Sequence, residues 1–369
     1  MNPLIKWPGG KSREIAIIKD YIPPHKRYIE PFFGGGALYF DIEPEKAAIN
    51  DISADLMLFY KLVKNQDAQL QQLLLCYHNY FQQLMEICRK ESLEMMHLFF
   101  RLKDGSLDED HLANTLWDFV CKITDKLGTD FWQLLVLDRA EFNRQVHRMV
   151  TDKFQRTVGN YNKKPFSTED LCENFVTGFT SGYYMYFRKV FNDIALARID
   201  TPNAAYRAAN FYFIREYCYG SMFRYNAAGE FNIPYGGMSY NKKDMGSKIA
   251  NIFRPKMAQL LSGTDMHCQD FEDFFAELQL TESDFLFLDP PYDTDFSDYE
   301  GKDFTKYDQE RLANALKKTK AKFLLIIKNT EFIWNLYKDF HIRTFDKQYT
   351  YNVRSRNDRD AEHLIITNY

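Results

Sequence analysis

The residues with the most specific chemistry in this chain are Asp289-Pro290-Pro291-Tyr292, which directly follow the apolar run Phe285–Leu288. Such a segment can activate an aromatic exocyclic amine, whose nitrogen is a poor nucleophile because its lone pair is delocalised into the ring. The Asp289 carboxylate and the Pro290 carbonyl can both accept N–H bonds from that amine and free the lone pair for in-line attack. Proline holds the carbonyl rigidly, and Tyr292 offers a ring for stacking on a base that has left its duplex. Asp-Pro also opens ordinary turns, which is the alternative interpretation.

A second candidate site is the glycine run Gly34–Gly36, which follows the acidic residue Glu30. Glycines let a backbone approach a ligand closely, and Asp51, at the end of the next apolar run, suits the hydroxyls of a ribose. The dinucleotide fingerprint fails, because Tyr39 stands where its third glycine belongs. Glu30 would oppose a pyrophosphate but suits a cationic or zwitterionic ligand. An adenosine with a positively charged amino-acid tail meets these conditions, and S-adenosylmethionine is such a molecule.

The N-terminal stretch Trp7–Ser12, with sequence WPGGKS, is similar in letters to the end of a phosphate-binding loop. The full loop needs a further glycine five residues before Gly10, and Ile5 occupies that position. A plain tight turn at Pro8-Gly9-Gly10 is the favoured alternative. On this interpretation, Lys11 does not bind a triphosphate.

The elements that must position these residues are short apolar runs, each of which ends on a polar or glycine-rich stretch. Such runs, when helical segments separate them, are typical of a mostly parallel α/β sheet that is covered on both faces. The runs are Tyr28-Ile29, Ala47–Ile49, Phe285–Leu288 and Phe323–Ile327. Crossover helices are predicted at Ala37–Phe40 and Gln309–Lys318, and an antiparallel pair at Ile342–Val353 and His363–Thr367.

Helical periodicity replaces the strand pattern from about Ala54 to Leu137. Ser167 and Asp170 form a candidate capping box for a later helix. We therefore predict a discontinuous sheet domain, residues 1–65 and 240–369, which a mainly helical insertion of residues 66–239 interrupts.

The net charge of the chain is −4, which is unusual for a protein that coats nucleic acid. Locally, however, Arg139–Lys164 holds seven Lys/Arg against two acids, and Lys242–Lys256 holds five against one. Basic patches on a mildly acidic body suit a protein that grips a polyanion on one face, and a solvated helix face is the alternative. The six cysteines lack metal-knuckle spacing. Without a run of 18 apolar residues or a secretory leader, the chain is expected to be cytoplasmic and away from membranes.

Seven segments in order along the chain resemble the Dam-type, D12 class of N6-adenine DNA methyltransferases. They are KWPGGK (Lys6–Lys11), EPFFGGGAL (Glu30–Leu38), NDIS (Asn50–Ser53), RYNAAGEFNIPYG (Arg224–Gly236), CQDF (Cys268–Phe271), DPPY (Asp289–Tyr292) and EHLIITNY (Glu362–Tyr369). The resemblance implies a Rossmann-like S-adenosylmethionine-dependent methyltransferase sheet with a large helical insertion for target recognition. It also implies transfer of a methyl group to the amine of a flipped adenine in duplex DNA. Asp289 in the DPPY motif indicates adenine, where serine would indicate cytosine N4 and asparagine protein glutamine.

By the same resemblance, S-adenosylmethionine is the cofactor and no metal is needed. The glycines pass under its methionine part, Asp51 holds the ribose, and Asp270 and Phe271 flank the adenine. The residues implied in cofactor binding are Trp7, Lys11, Glu30, Phe33, Gly34, Gly36, Asp51, Asp270, Phe271 and Asp289. Asp289, Pro290 and Tyr292 are implied in catalysis.

The resemblance assigns contact with double-stranded DNA to five residues: Lys6, Tyr217, Tyr219, Arg224 and Asn226. Arg224 suits bidentate contact with guanine, and Tyr217 or Tyr219 suits insertion beside the flipped base.

The chain departs from GATC-specific members of the family, because Gly220-Ser221 replaces Asn-Gly and Met222 replaces leucine. The target sequence is therefore open. The family further implies a prokaryotic or phage-encoded monomer, in restriction–modification beside a cognate restriction endonuclease or in orphan marking. An RNA-directed or inactive variant is the alternative.

Overall fold

The computed structural model describes residues 1–107, 109–291, 298–299, 302–348 and 360–369. The chain divides into two compact units. The sheet unit comprises Met1–Asn65, Phe223–Tyr225 and Arg254–Tyr369, and the helical unit comprises Gln66–Met222 and Asn226–Phe253. The sequence-based boundary at residue 240 differs from the structural one at Arg254, because a helix over Met245–Ile252 packs on a helix over Ala68–Lys90.

Strands and helices alternate along the sheet unit, as the sequence predicts. The strands are β1 (Arg27–Glu30), β2 (Ala47–Asn50), β3 (Thr264–His267), β4 (Asp284–Leu288), β5 (Asp298–Tyr299), β6 (Lys302–Asp303), β7 (Lys322–Lys328), β8 (His341–Gln348) and β9 (Asp360–Thr367). The helices are α1 (Ile15–Lys19), α2 (Ala37–Ile42), α3 (Ala54–Lys64), α4 (Ala68–Lys90), α5 (Ser92–Lys103), α6 (Glu109–Thr124), α7 (Arg139–Tyr161), α8 (Thr168–Ala195), α9 (Ala204–Tyr217), α10 (Met245–Ile252), α11 (Pro255–Ser262), α12 (Phe271–Leu278), α13 (Lys306–Lys318) and α14 (Glu331–Tyr337).

Seven strands form one sheet in the order β3-β2-β1-β4-β7-β9-β8. β1 pairs in parallel with β2 and β4, and β4 pairs in parallel with β7. β9 runs antiparallel to both β7 and β8. The predicted α/β class and the predicted antiparallel pair are confirmed. The strand order reverses between β1 and β4, which is where open parallel sheets bind their ligands.

Burial explains why the four apolar runs become strands. Every residue of β2 and β4 is buried, as an α/β sheet covered on both faces requires. One core cluster joins apolar side chains of these strands to Phe274 of α12, Leu312 of α13 and Ile333 of α14. Burial of each such side chain contributes about 1.5–3 kcal/mol.

One strand of this sheet was not predicted, and one predicted strand is described only in part. β3 was not predicted, because its sequence TDMH is polar and the strand lies at the edge of the sheet beside β2. β8 ends at Gln348, and the rest of the strand predicted up to Val353 lies outside the described residues.

The helical unit is built on the long helices α4, α7, α8 and α9. Ser167 caps α8 by accepting a hydrogen bond from the Asp170 amide at 3.0 Å, which confirms the predicted start of that helix. α7 and α8 approach closely at Gly182, where an added Cβ would lie 2.4 Å from the Cα of Val146. Among the described residues, no helix is both long and apolar enough to span a bilayer.

Candidate active site at the carboxyl ends of the parallel strands

A cavity of about 280 Å³ lies in the sheet unit, beyond the ends of β1, β2 and β4. Residues from all three strand ends and from the N-terminal turn line it. The sequence-predicted residues on its wall are Trp7, Lys11, Glu30, Phe33, Gly34, Gly36, Asp51, Asp270, Phe271, Asp289 and Pro290. Tyr292 lies outside the described residues. The structure thus brings together every residue implied in cofactor binding.

The glycine loop after β1 packs closely against the side chains of Trp7 and Phe33. Gly34 and Gly36 adopt positive φ angles of 50° and 63°. A Cβ on Gly34 would lie 2.6 Å from Cδ1 of Trp7, and one on Gly36 would lie 2.4 Å from Cζ of Phe33. Glycine is therefore required at both positions by backbone conformation and by space.

Asp51 joins the loop after β2 to the glycine loop. Its carboxylate accepts a hydrogen bond from the Gly34 amide at 2.8 Å and another from the Ser53 amide at 2.9 Å. Burial raises the pKa of the Asp51 carboxyl, and these amide donors oppose that shift. The side chain is thereby held in one orientation on the cavity wall.

Glu30, the last residue of β1, is a buried acid with an exposed fraction of 3%. Its carboxyl group accepts a hydrogen bond from the Tyr28 hydroxyl at 2.7 Å. Burial raises its pKa well above the ordinary value, and the nearby charges of Asp289 and Asp51 act in the same direction. A cation bound in the cavity would favour the ionised form, so the arrangement suits a positively charged ligand.

Lys11 points at Asp289, the residue that follows β4. Its ammonium contacts the Asp289 carboxylate and donates a hydrogen bond to the Gly9 carbonyl at 3.0 Å. Together with Glu30, Asp51, Asp270 and Asp308, Asp289 makes five carboxyl groups that line this cavity. Negative charge on these groups would repel a triphosphate. The tight-turn alternative holds for Pro8–Gly10, where the Gly10 amide faces the Trp7 carbonyl at 3.4 Å.

Asn50 is a site residue that sequence reasoning missed. It is buried at the end of β2, and its side-chain amide donates to the carbonyls of Pro31 and Gln269 at 3.1 and 3.0 Å. Its side-chain oxygen accepts from the Gln269 amide at 3.0 Å. Asn50 therefore ties three ligand-facing loops together. A polar residue at the end of a buried strand was the available signal.

Two residues of α13 were also missed, and both hold segments that carry predicted site residues. Gln309 is fully buried and donates a hydrogen bond to the Pro291 carbonyl at 2.8 Å. Arg311 contacts the Asp270 carboxylate at 2.6 Å, and its guanidinium lies 4.9 Å from the ring centre of Phe271. Nothing in the local pattern of a charged, amphipathic helix marks these two positions.

An aromatic wall closes one side of the cavity. The ring of Phe271 packs 5.7 Å from that of Phe32 and 6.0 Å from that of Phe304, measured between ring centres. Flat apolar walls of this kind bury an aromatic ring of a ligand, while Asp270 at the start of α12 supplies an acceptor.

Comparison with known families identifies the chain. The model of the D12 class N6 adenine-specific DNA methyltransferases matches residues 7–176 and 121–351. The chain belongs to this family. The predicted function and enzyme class are thereby confirmed: the protein is an adenine-specific DNA methyltransferase, and DNA is its substrate.

Curated relatives that match most or all of the chain agree with the family assignment. The Type II methyltransferase M.CviBI of Paramecium bursaria Chlorella virus NC1A is 25% identical over 100% of both chains. The Type II methyltransferase M.MjaIII of Methanocaldococcus jannaschii is 27% identical over 100% of this chain and 99% of its own. The DNA adenine methylase of Vibrio cholerae is 20% identical over 85% of this chain and 76% of its own.

Two of the residues implied in DNA contact belong to the sheet unit of this methyltransferase. Lys6 and Arg224 are both exposed there. Phe223, next to Arg224, packs edge-on against Trp7 with the ring centres 4.6 Å apart. The segment that carries Arg224 is thus anchored on the same N-terminal motif that lines the cavity.

The two tyrosines implied in base insertion differ in exposure. Tyr217, at the end of α9, has an exposed fraction of 0% and packs against Phe81 and Phe213 with ring centres 4.7 and 4.9 Å apart. The assignment of Tyr217 as an inserting residue is therefore wrong for this structure, because its ring is part of the core of the helical unit. Tyr219 is 44% exposed, so its assignment as the inserting residue stays a prediction.

Asn226 has a structural task that its predicted role did not include. Its side-chain oxygen accepts hydrogen bonds from the amides of Ala228 and Glu230, and its amide donates to the Glu230 carboxylate at 3.0 Å. These bonds form the turn Asn226–Glu230. Asn226 is also exposed, so its assignment to DNA contact stays a prediction.

Among the described residues, no group of three or more His, Cys, Asp or Glu side chains is placed to hold a metal ion.

Proposed function

We propose that the cavity of the sheet unit binds S-adenosylmethionine, and that the enzyme methylates N6 of an adenine flipped out of a specific site in duplex DNA. One observation carries the proposal. Residues from five of the predicted motif segments line a single cavity, and Asp289 and Pro290 lie on its wall. A site at the reversal of strand order is where this fold binds an adenosine-containing ligand.

The acidic wall fits the cofactor. S-adenosylmethionine carries an ammonium and a sulfonium, and Glu30, Asp51 and Asp289 supply carboxyl groups toward the cavity. Asp270 and the ring of Phe271 hold the adenine, Asp51 holds the ribose, and Gly34 and Gly36 leave room for the methionine part. When bound, the cofactor supplies an electrophilic methyl group.

Asp289 and the Pro290 carbonyl accept the two N–H bonds of adenine N6 in this proposal. These acceptors favour a localised lone pair on the nitrogen, which the delocalised amine lacks. Lys11 orients the Asp289 carboxylate through their ion pair, and Gln309 holds the following peptide through the Pro291 carbonyl. Tyr292 stacks on the flipped adenine.

Recognition of the target falls to Arg224, Lys6 and Tyr219. Arg224 reads guanine by a bidentate contact, Lys6 contacts the DNA beside the cavity, and Tyr219 inserts into the stack. The names of the curated relatives support a role in restriction–modification or orphan marking. We further propose that the enzyme is a monomer that acts in the cytoplasm of a prokaryotic host. If its role is restriction–modification, it acts beside a cognate restriction endonuclease.

The test is long-read modified-base sequencing of genomic DNA that lacks N6-methyladenine, after incubation with the enzyme and S-adenosylmethionine. Asp289→Ala is the control. N6-methyladenine at one sequence motif, with the wild-type enzyme only, supports the proposal and gives the target. If no adenine is modified although cofactor binding is measured, the proposed substrate is wrong, and RNA is tested next.

A further inference from the structure

Arg215, near the end of α9, is a buried cation that the proposed mechanism does not use. Its exposed fraction is 1%. The guanidinium donates from Nη1 to the Met222 carbonyl at 2.8 Å and from Nη2 to the Ser221 carbonyl at 2.5 Å. Two consecutive peptides are thus held by the two ends of one planar group.

The peptides that Arg215 holds belong to a loop with an uncommon backbone. In the loop Cys218–Met222, Gly220 and Ser221 have φ angles of 63° and 53°. A left-handed conformation is strained for a non-glycine residue such as Ser221, so surrounding contacts must stabilise it. The Tyr240 hydroxyl, which accepts from the Gly220 amide at 2.9 Å, is one of them.

The loop Cys218–Met222 carries Tyr219, whose ring is 44% exposed, and Met222 is followed in the chain by Phe223 and Arg224. We propose that Arg215 is a positioning residue for target specificity. Its guanidinium fixes the Ser221 and Met222 carbonyls, and this sets the conformation in which the loop presents Tyr219 and leads into Arg224. The inference rests on the proposed function of those two residues.

Arginine is suited to this task in a way that lysine is not. A guanidinium presents several donors in a fixed plane, whereas an ammonium is a point charge on a flexible stem. Both residues carry the same charge. Arg215→Lys therefore keeps the charge and loses the simultaneous bonds to two carbonyls.

The experiment compares Arg215→Lys with the wild-type enzyme and with Asn210→Ala. Asn210 is also buried on α9, but it donates to the Tyr77 hydroxyl and the Phe187 carbonyl rather than to the loop. Tyr240→Phe loosens the loop at Gly220 without touching Arg215. Modified-base sequencing gives the ratio of methylation rates at the wild-type motif and at sites that differ from it by one base. Calorimetry gives the cofactor affinity of each variant, and thermal unfolding gives its stability.

We expect the ratio to fall about tenfold in Arg215→Lys, and less in Tyr240→Phe, with cofactor affinity within about twofold of wild type. Asn210→Ala lowers the melting temperature but keeps the ratio. Unchanged discrimination in Arg215→Lys, or an equal loss in Asn210→Ala, overturns the inference. If Arg215→Lys does not fold, an unchanged ratio in Tyr240→Phe overturns it. Absence of adenine methylation by the wild-type enzyme would instead contradict the proposed function, on which the inference depends.

Discussion

The ammonium of Lys11 contacts the carboxylate of Asp289, although 278 positions separate the two residues in the sequence. The Lys11 side chain is 2% exposed and that of Asp289 is 18% exposed, so water screens this ion pair little. The contact joins the N-terminal turn to the end of β4. It fixes the orientation of the carboxylate that the proposed mechanism requires as a hydrogen-bond acceptor.

The ion pair should appear as coupling in a double-mutant cycle. Removal of one partner leaves a buried charge without its counter-ion, so Lys11→Met and Asp289→Asn should each destabilise the protein. The double variant should lose less stability than the sum of the two single losses. We expect a coupling of about 2 kcal/mol in urea unfolding. The matched control is the less buried pair Lys256 and Glu43, whose side chains are 60% and 29% exposed, through Lys256→Met and Glu43→Gln. Additive effects at Lys11 and Asp289 would show that the contact does not form in solution.

Glu30 predicts a pH dependence of stability. Folding raises the pKa of this buried carboxyl above the ordinary value of 4.5, so the unfolded chain releases its proton first as the pH rises. The contribution of Glu30 to stability is therefore fully present below pH 4.5 and is lost as the pH climbs toward the raised pKa. Glutamine has no proton to release, so Glu30→Gln removes this loss of stability. The difference between the melting temperature of Glu30→Gln and that of the wild type should therefore increase as the pH rises.

The control for this pH series is Glu45→Gln, at an exposed position between α2 and β2. Its curve should run parallel to that of the wild type. In addition, Glu30→Gln should weaken cofactor binding at least tenfold, because the cavity then lacks the carboxyl group that ionises when a cation binds. A melting-temperature difference that does not vary with pH would refute the assignment of a raised pKa to Glu30.

Gly34→Ala tests the close approach of the glycine loop to Trp7. The substitution places a Cβ 2.6 Å from Cδ1 of Trp7 at a φ of 50°. Gly105→Ala is the matched control, since Gly105 also has a positive φ but open space around it. We expect a loss of about 1 kcal/mol in the control from backbone strain alone, and at least twice that, with weakened cofactor binding, in Gly34→Ala. Equal losses in urea unfolding would mean that the loop is not packed on Trp7.

Arg224→Ala should relax the target preference more than it weakens DNA binding. Loss of a bidentate guanine contact removes about 2 kcal/mol of discrimination at one base pair. Competition binding with cognate and single-mismatch duplexes measures this difference. Arg343→Ala, at an exposed position on β8, serves as the control. An unchanged preference in Arg224→Ala would remove Arg224 from recognition.

The sheet and three acids of the cavity wall were accessible from sequence patterns because their signals are local. Continuous apolar runs that end on Glu30, Asp51 and Asp289 place three acids at one sheet edge, since parallel strands bring their carboxyl ends together. β3 escaped prediction, because an edge strand with the sequence TDMH needs no apolar pattern.

The supporting residues were not accessible, because their contacts depend on tertiary structure. Gln309 and Arg311 lie on a charged helix, and only the packing of α13 shows that they hold Pro291 and Asp270. Tyr217 and Tyr219 differ by two positions and look alike in sequence, yet packing in the helical unit buries one ring and exposes the other.

The most direct test of the account compares single-turnover methyl transfer with cofactor affinity in Asp289→Asn. The variant keeps the shape of the side chain but loses the carboxylate that accepts from adenine N6. We predict a transfer rate at least about a thousandfold lower, which corresponds to about 4 kcal/mol of transition-state stabilisation, with cofactor binding within about tenfold of wild type. A rate within tenfold of wild type at saturating cofactor and DNA would contradict the central claim that Asp289 activates the adenine amine.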